Sequence, residues 1–307
     1  MSTEIKNVVI AGASGNLGTP VLHVLLESSL NVSVLCRESS KSKFPSTVRV
    51  LTTDYSQASL EIALKGQDAV ISTIGYESLG EGAMNLINAA AEVGVKRFLP
   101  SEFGHNTVCD KIRPWIPFFG EKVNLVNRLD ALGESSSITW TAIIPGVFFD
   151  WGLELFISMN LKNRKATIWD AGDVPFAAST LDLIGRTILK LLTDPAAYEA
   201  SRNKYIYTAS ATTTQSEVLR AVEKVTGTKF NIEKVDGQKT LVESRRKVAN
   251  GDKSATLVLL QTIAFARIDG DAVADYRKYG IFNESFGVSD PSVEEIIADT
   301  IAMQRNK

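Results

Sequence analysis

Three glycines behind a short apolar run constrain this chain more than any other feature in it. Residues 8–11, Val-Val-Ile-Ala, read as a buried strand. Gly12, Gly15 and Gly18 follow, and then Val21, Val24, Leu25 and Leu26 fall at helical spacing. Between a strand and a helix each glycine has its own task. Gly12 makes the tight turn, Gly15 lets a pyrophosphate approach the backbone, and Gly18 lets the helix pack closely on the strand. The helix start offers unbonded N–H groups and a partial positive charge. The expected dinucleotide contacts here are Gly12, Ser14, Gly15, Asn16, Leu17 and Gly18. A plain strand–helix turn with nothing bound is the alternative.

The first half of the chain repeats this rhythm. Strand patterns fall at 32–36, 48–52, 69–73, 97–100 and 139–144, with helical patterns at 19–27, 60–64, 82–93 and 122–132. Near-continuous apolar strands separated by helices predict a parallel sheet covered on both faces, an α/β doubly wound fold of the Rossmann type. After about residue 150 the rhythm loosens. A helix is expected at 153–161, a short strand at 165–169, and an amphipathic helix at 180–192 that stops before Asp194-Pro195. A strand at 204–208 follows, then a helix at 214–225 stopped by Gly227, and mostly helix over 238–264. The last helix, 293–303, has Ser292 as N-cap and Glu295 to complete a capping box. The expected organisation is a nucleotide-binding Rossmann domain over 1–150 and a smaller C-terminal substrate-binding region over 151–307. The 180–192 helix and the 204–208 strand are candidates to return to the main sheet, so that the second region is partly interleaved with it.

Bulk properties exclude several function classes. A net charge of −2 over 307 residues gives no broad electrostatic case for nucleic acid. Two cysteines, Cys36 and Cys109, make no disulfide framework and suit a reducing compartment. The polar start MSTEIKN lacks a signal-peptide core, and no apolar run is long enough to span a bilayer. A soluble, cytoplasmic protein with no membrane partner is expected. Two histidines without clustered ligands point to no metal. His23 reads as structural and His105 as a loop residue, with proton transfer a minor alternative. No interface signal fixes an oligomeric state.

The second strand ends at Cys36-Arg37, one strand–helix–strand step past the glycines. An NAD site places an acidic residue there for the ribose 2′-hydroxyl. This chain places Arg37, with Ser39, Ser40, Lys41 and Lys43 close behind, a set that suits a 2′-phosphate despite Glu38. NADP(H) is therefore the expected cofactor, through Arg37, Ser39 and Lys41; a solvated basic loop is the alternative. Asp54-Tyr55 is placed to rim the adenine. The fourth strand ends at Thr73, Ile74 and Gly75, whose backbone is expected to face the cofactor ribose beside the switch point.

Hydride transfer needs an acceptor carbon against the nicotinamide and a group that moves a proton. Many short-chain dehydrogenases use Tyr-x-x-x-Lys, but none of the seven tyrosines has a lysine four residues on. The alternative lies in VKRFLPSEFG at 95–104, Lys122 at the start of a helical run, and WTAIIPGVFF at 140–149. With GASGNLG at 12–18 and the arginine after the second strand, these segments resemble the NmrA-like, isoflavone reductase-like family of atypical short-chain dehydrogenases. The resemblance covers roughly the first 190 residues well and the rest loosely. It implies an NADPH-dependent reductase of a small aromatic or unsaturated metabolite. It maps the family's lysine onto Lys122, near the nicotinamide and the substrate, and its PSEFG segment onto Pro100, Ser101, Glu102, Phe103 and Gly104, beside the cofactor's reactive half. Lys122 then serves as general acid or base, or as a contact to the ribose hydroxyls. A surface lysine is the plain alternative. Phe148, Phe149, Trp151, Phe156 and Trp169 gather past the sixth strand, with Phe148 and Phe149 the candidates to line an apolar substrate pocket and core packing the alternative for each. A cofactor-sensing regulator without catalysis is the second function class, and an isomerase or dehydratase the third. Only the reductase needs Lys122 and an open pocket.

Overall fold

The computed structural model describes residues 4–305; residues 1–3 of the polar start lie outside the described residues. In chain order the first elements are β1 (Asn7–Ala11), α1 (Gly18–Leu26), β2 (Asn31–Arg37), β3 (Arg49–Thr53), α2 (Gln57–Leu64), β4 (Ala69–Ser72), α3 (Glu81–Glu92), β5 (Arg97–Leu99), α4 (Pro117–Gly133) and β6 (Thr139–Ile144). Then come β7 (Val147–Phe148), α5 (Phe149–Leu155), β8 (Met159–Asn160), β9 (Lys165–Trp169), β10 (Phe176–Ser179), α6 (Leu181–Thr193), α7 (Pro195–Ala200) and β11 (Lys204–Tyr207). The chain ends with β12 (Ala211–Thr213), α8 (Gln215–Thr226), β13 (Asn231–Val235), α9 (Gly237–Ala249), α10 (Thr256–Phe265), α11 (Phe282–Ser285) and α12 (Val293–Arg305).

The chain forms two units. One holds the chain up to Phe103, then Phe118–Ile143 and Ile184–Ile206; the other holds Gly104–Pro117, Ile144–Leu183 and the chain from Tyr207 onward. The boundary expected at residue 150 falls inside the second unit's Ile144–Leu183 segment.

The first unit is built on a seven-stranded sheet in the order β11-β6-β5-β4-β1-β2-β3. The pairings β1–β2, β1–β4, β2–β3, β4–β5 and β5–β6 are all parallel. Strand order reverses between β1 and β4, so the crevice at the carboxyl ends of these two strands is the topological switch point. Val8, Val9, Ile10 and Ala11 are fully buried, as a central strand covered on both faces requires. Gly185 of α6 lies so close to α1 that an added Cβ would stand 2.9 Å from a Val24 methyl. The 204–208 strand joins the main sheet as β11, and α6 packs with α1.

Arg97, fully buried, fixes β5. Its guanidinium donates to Thr139 Oγ1 at 2.9 Å, Thr141 Oγ1 at 2.6 Å, Ser201 Oγ at 3.1 Å and the Tyr198 carbonyl at 2.9 Å. It also lies over the Tyr198 ring, 3.8 Å from the centroid. A charge taken out of water needs this full complement of acceptors. The arrangement anchors the strand from which residues 100–103 emerge.

The second unit has its own core, in which Phe149, Trp169, Phe176, Phe265 and Ile297 are buried together. It contains the small sheets β12-β10-β7 and β13-β9-β8. The helix expected at 153–161 lies instead at Phe149–Leu155 and gives way to β8, because Ser158 takes a left-handed conformation (φ 65°) that no helix continues through. The 238–264 stretch divides into α9 and α10 at Gly251 (φ 84°). The predicted stop at Gly227 (φ 65°) and the Ser292–Glu295 capping pair are both present.

Candidate active site

The site begins where β1 ends. Gly12 has φ 85°, and a Cβ there would stand 2.8 Å from the carbonyl carbon and oxygen of Thr73. A Cβ on Gly18 would stand 2.1 Å from the Gly12 carbonyl oxygen. Both positions thus exclude a side chain, one between adjacent strand ends and the other between helix and turn. Thr73 closes the joint by donating to the Ala11 carbonyl from both its N–H (2.8 Å) and its Oγ1 (3.0 Å).

A cleft of about 800 Å³ opens at this switch point. Of the residues named from sequence, Gly12, Ser14, Gly15, Arg37, Ser39, Thr73, Ile74 and Gly75 line it. Asn16 is exposed outside the lining, Leu17 is the buried residue that precedes α1, Gly18 is the first residue of α1, and Lys41 is exposed beyond the rim. Helices α1 and α3 begin without a side-chain cap, whereas α2, α8 and α9 are capped by Ser56, Thr214 and Asp236. An uncapped helix start carries partial positive charge, which beside a cleft suits an anion such as a phosphate.

Leu35, Cys36, Ser40, Tyr55, Glu77, Ser78, Gly80 and Gly82 also line the cleft. Tyr55, weighed from sequence only as an adenine rim, does more. Its ring lies 5.6 Å from the Arg37 guanidinium carbon, within cation–π range. Its left-handed backbone (φ 66°) is held by its N–H donating to Thr53 Oγ1 (2.9 Å) and by Asn85 Nδ2 donating to its carbonyl (3.1 Å). Burial pushes the Tyr55 phenol up and Arg37 pulls it down. Burial likewise raises the Cys36 thiol, keeping it protonated at neutral pH.

Beside this cleft, residues 100–103 leave β5. Ser101 Oγ donates to the Ile74 carbonyl at 2.5 Å, pinning the segment to the end of β4. The Glu102 carbonyl accepts from Lys122 Nζ at 3.0 Å, and Phe103 is half-buried next in line. Lys122 sits on the apolar face of α4 with Phe119, Leu125, Val126 and Leu129 and is only 8% exposed. Burial pushes its ammonium well below the ordinary lysine value, and the Glu102 carboxylate opposes that shift. A lysine at core spacing on an amphipathic helix is the signal for this residue in the sequence itself.

The aromatic candidates of the second unit separate. Phe149 is 1% exposed and belongs to that unit's core, as do Trp169 and, at the core's edge, Phe156. Phe148 is half-buried and meets the exposed Trp151 edge-on at 6.2 Å. His105 is buried, its ring 5.7 Å from that of Phe156.

A doubly wound parallel sheet with a glycine-bounded cleft at its switch point defines an α/β protein of the Rossmann type. Within that class the chain belongs to the NmrA-like family, whose model matches residues 4–255. It is similar to oxidoreductase aprR of Aspergillus flavus, 33% identical over 298 residues that span 96% of this chain and 98% of the relative. It is also similar to the isoflavone reductase homolog IRL of Zea mays, 30% identical over 78% of this chain and 81% of the relative. A solved structure of AtPrR2 with NADP+ and (+)-pinoresinol shares the fold, with a TM-score of 0.78 and 20% identity, over 98% of this chain and all of the other. The likeness thus runs well past residue 190. Among the described residues no helix is long and apolar enough to cross a membrane.

The glycine geometry makes a prediction. Gly18→Ala should cost about 3 kcal/mol or more, because the opposing atom is backbone and cannot move aside. Gly15→Ala, whose Cβ would meet the Gly12 carbonyl only at 3.3 Å, should stay within about 1 kcal/mol of the native protein. Denaturant unfolding of the two variants measures the difference; equal stabilities would contradict the close approach at Gly18.

Proposed function

We propose that the protein is an NADPH-dependent oxidoreductase that reduces a small aromatic or otherwise unsaturated metabolite. The observation that carries this is the buried Lys122 ammonium, held by the Glu102 carbonyl in the segment pinned to the cleft's own β4 end. The relatives named as oxidoreductase and as isoflavone reductase homolog, and the neighbour that holds NADP+, support it.

The residues present fit a dinucleotide phosphate. Gly12 leaves a cradle that a Cβ would fill, the uncapped start of α1 supplies the positive end of a helix dipole, and Arg37 with Ser39 and Ser40 offers a guanidinium and hydroxyls at the cleft's end. Gly12, Ser14 and Gly15 would hold the pyrophosphate, Arg37 and Ser39 the 2′-phosphate, and the backbone of Thr73, Ile74 and Gly75 the ribose. When bound, NADPH supplies the hydride.

The chain's own residues supply the proton. Lys122 donates from Nζ to the substrate atom that gains electron density, a carbonyl or phenolate oxygen or an imine nitrogen. Burial makes that donation easier, because it favours the neutral amine over the ammonium. The Glu102 carbonyl orients Nζ, and Ser101 keeps that carbonyl in place through Ile74.

Arg37→Ala should weaken NADPH binding about 10- to 100-fold and leave NADH binding unchanged, the loss of one charge-assisted contact. Titration with each nucleotide measures this, and an equal loss for both would remove Arg37 from 2′-phosphate selection. Lys122→Met should lower kcat about 10²- to 10⁴-fold while NADPH still binds. In the native enzyme the ammonium is the active form for reduction, so activity should fall as pH rises through the lysine's lowered pKa. That fall should begin below the ordinary lysine value of about 10.4 and be absent in Lys122→Met. Binding of NADPH with native turnover in the Met variant would remove Lys122 from the chemistry.

A further inference from the structure

The loop after β2 carries more chemistry than a 2′-phosphate contact requires. β2 ends at Arg37 and the chain turns at once, the Ser40 N–H donating to the Arg37 carbonyl at 2.9 Å. Residues 40–45 then run without regular structure on the way to β3. Arg37, Ser39 and Ser40 all line the cleft. Ser40 is exposed, and its hydroxyl is held from two sides. It hydrogen-bonds the Cys36 thiol, and it accepts from the Ser42 N–H at 3.3 Å.

An exposed serine on a loop is ordinary by itself. Two features set Ser40 apart. Its turn keeps the hydroxyl at the end of the cleft where Arg37 stands. It also lies three residues after Arg37 and just before Lys41 and Lys43, in the run Arg37-Glu38-Ser39-Ser40-Lys41-Ser42-Lys43. Residues 37–43 are all exposed, and Glu38 is the one acid among them. An exposed basic segment with a hydroxyl at its centre is complementary to the acidic peptide groove of a basophilic serine kinase.

We propose that Ser40 is a phosphorylation site whose phosphate takes the place of the cofactor's 2′-phosphate on Arg37, so that the modified protein loses its preference for NADPH. The proposal rests on the 2′-phosphate role given to Arg37 and is independent of the chemistry at Lys122. The phosphoryl donor is ATP. The bond from its γ-phosphorus to the bridging oxygen breaks, and a bond from that phosphorus to Ser40 Oγ forms. The hydroxyl proton passes to the kinase's base and ADP leaves, with nothing oxidised or reduced. The product carries a charge of about −1.5 to −2 and three strong acceptor oxygens, the same recognition elements as a 2′-phosphate. A guanidinium paired with one phosphate is not available to a second. Glu38 opposes the new charge, whereas Lys41 and Lys43 favour it. NADH presents a hydroxyl in place of the 2′-phosphate and loses less.

The test compares the full chain in its native form and phosphorylated at Ser40. The modified form is made with the catalytic subunit of cAMP-dependent protein kinase and ATP, mass spectrometry locating the phosphate. It is made independently by incorporating phosphoserine at position 40 during translation. NADPH and NADH affinities are measured by calorimetry. The kinase should modify the native protein at Ser40. The phosphate should weaken NADPH binding about 10- to 100-fold and NADH binding by less than about threefold. In an Arg37→Ala protein, phosphoserine at position 40 should change NADPH affinity by less than about threefold, because the group competed for is gone. Failure of the kinase to modify Ser40 would overturn the modification site. Unchanged NADPH affinity in the phosphoserine protein, or an equal loss for both nucleotides, would overturn the displacement at Arg37. Either result beside a native preference for NADPH would leave the cofactor reading intact. A native protein that binds the two nucleotides equally, or binds neither, would remove the 2′-phosphate role of Arg37 and this proposal with it.

Discussion

Where β1 ends, two backbones meet with no room for a side chain between them. Gly12 turns beneath the carbonyl of Thr73, and α1 starts against the Gly12 carbonyl through Gly18. Everything that makes the first unit a nucleotide-binding candidate follows from that closeness. β1 and β4 end side by side at the point where strand order reverses, so the connections that leave them diverge and their ends open a crevice. The helix that starts there has no side-chain cap, and its dipole leaves partial positive charge at that end. A methyl group at Gly18 would push α1 off the turn and lose both properties at once.

The second constraint is electrostatic. A lysine in a helix core face loses most of its hydration, and few contacts offset that loss: the Glu102 carbonyl, the nearby Glu102 carboxylate and the Phe118 face. The result is an ammonium more acidic than usual, fixed by a segment that Ser101 pins to the cleft. Arg97 is a useful contrast within the same unit. It is more deeply buried, but four hydrogen bonds and the Tyr198 ring satisfy it, so its charge serves the sheet alone. Partial satisfaction distinguishes a group available for proton transfer from one that is structural.

Much of this was legible in the amino-acid sequence, and the parts that were not share physical causes. β1, β2, β4 and β6 were readable because buried parallel strands are largely apolar runs, whereas β3, at the sheet edge, is mostly exposed. β7, β8, β10 and β12 have two to four residues each, too few for any periodicity to show. β13 is almost wholly exposed, so its pattern is polar throughout. The cleft's glycines and Arg37 announced themselves by position, whereas Tyr55 depends on a left-handed backbone that its residue type does not signal. Phe149 looked like Phe148 in the sequence; only the direction of each side chain sends one to the core and leaves the other half-buried.

The most direct test of the account is a titration of the purified protein with NADPH and, separately, NADH, followed by addition of benzylideneacetone to the nucleotide-loaded protein. The account predicts saturable NADPH binding, much weaker NADH binding, and oxidation of the bound NADPH once the enone is present. Failure to bind either nucleotide would contradict the role assigned to Gly12, Gly15 and Arg37. Tight NADPH binding with no oxidation of this or any other aromatic ketone, enone or imine would contradict the role assigned to Lys122.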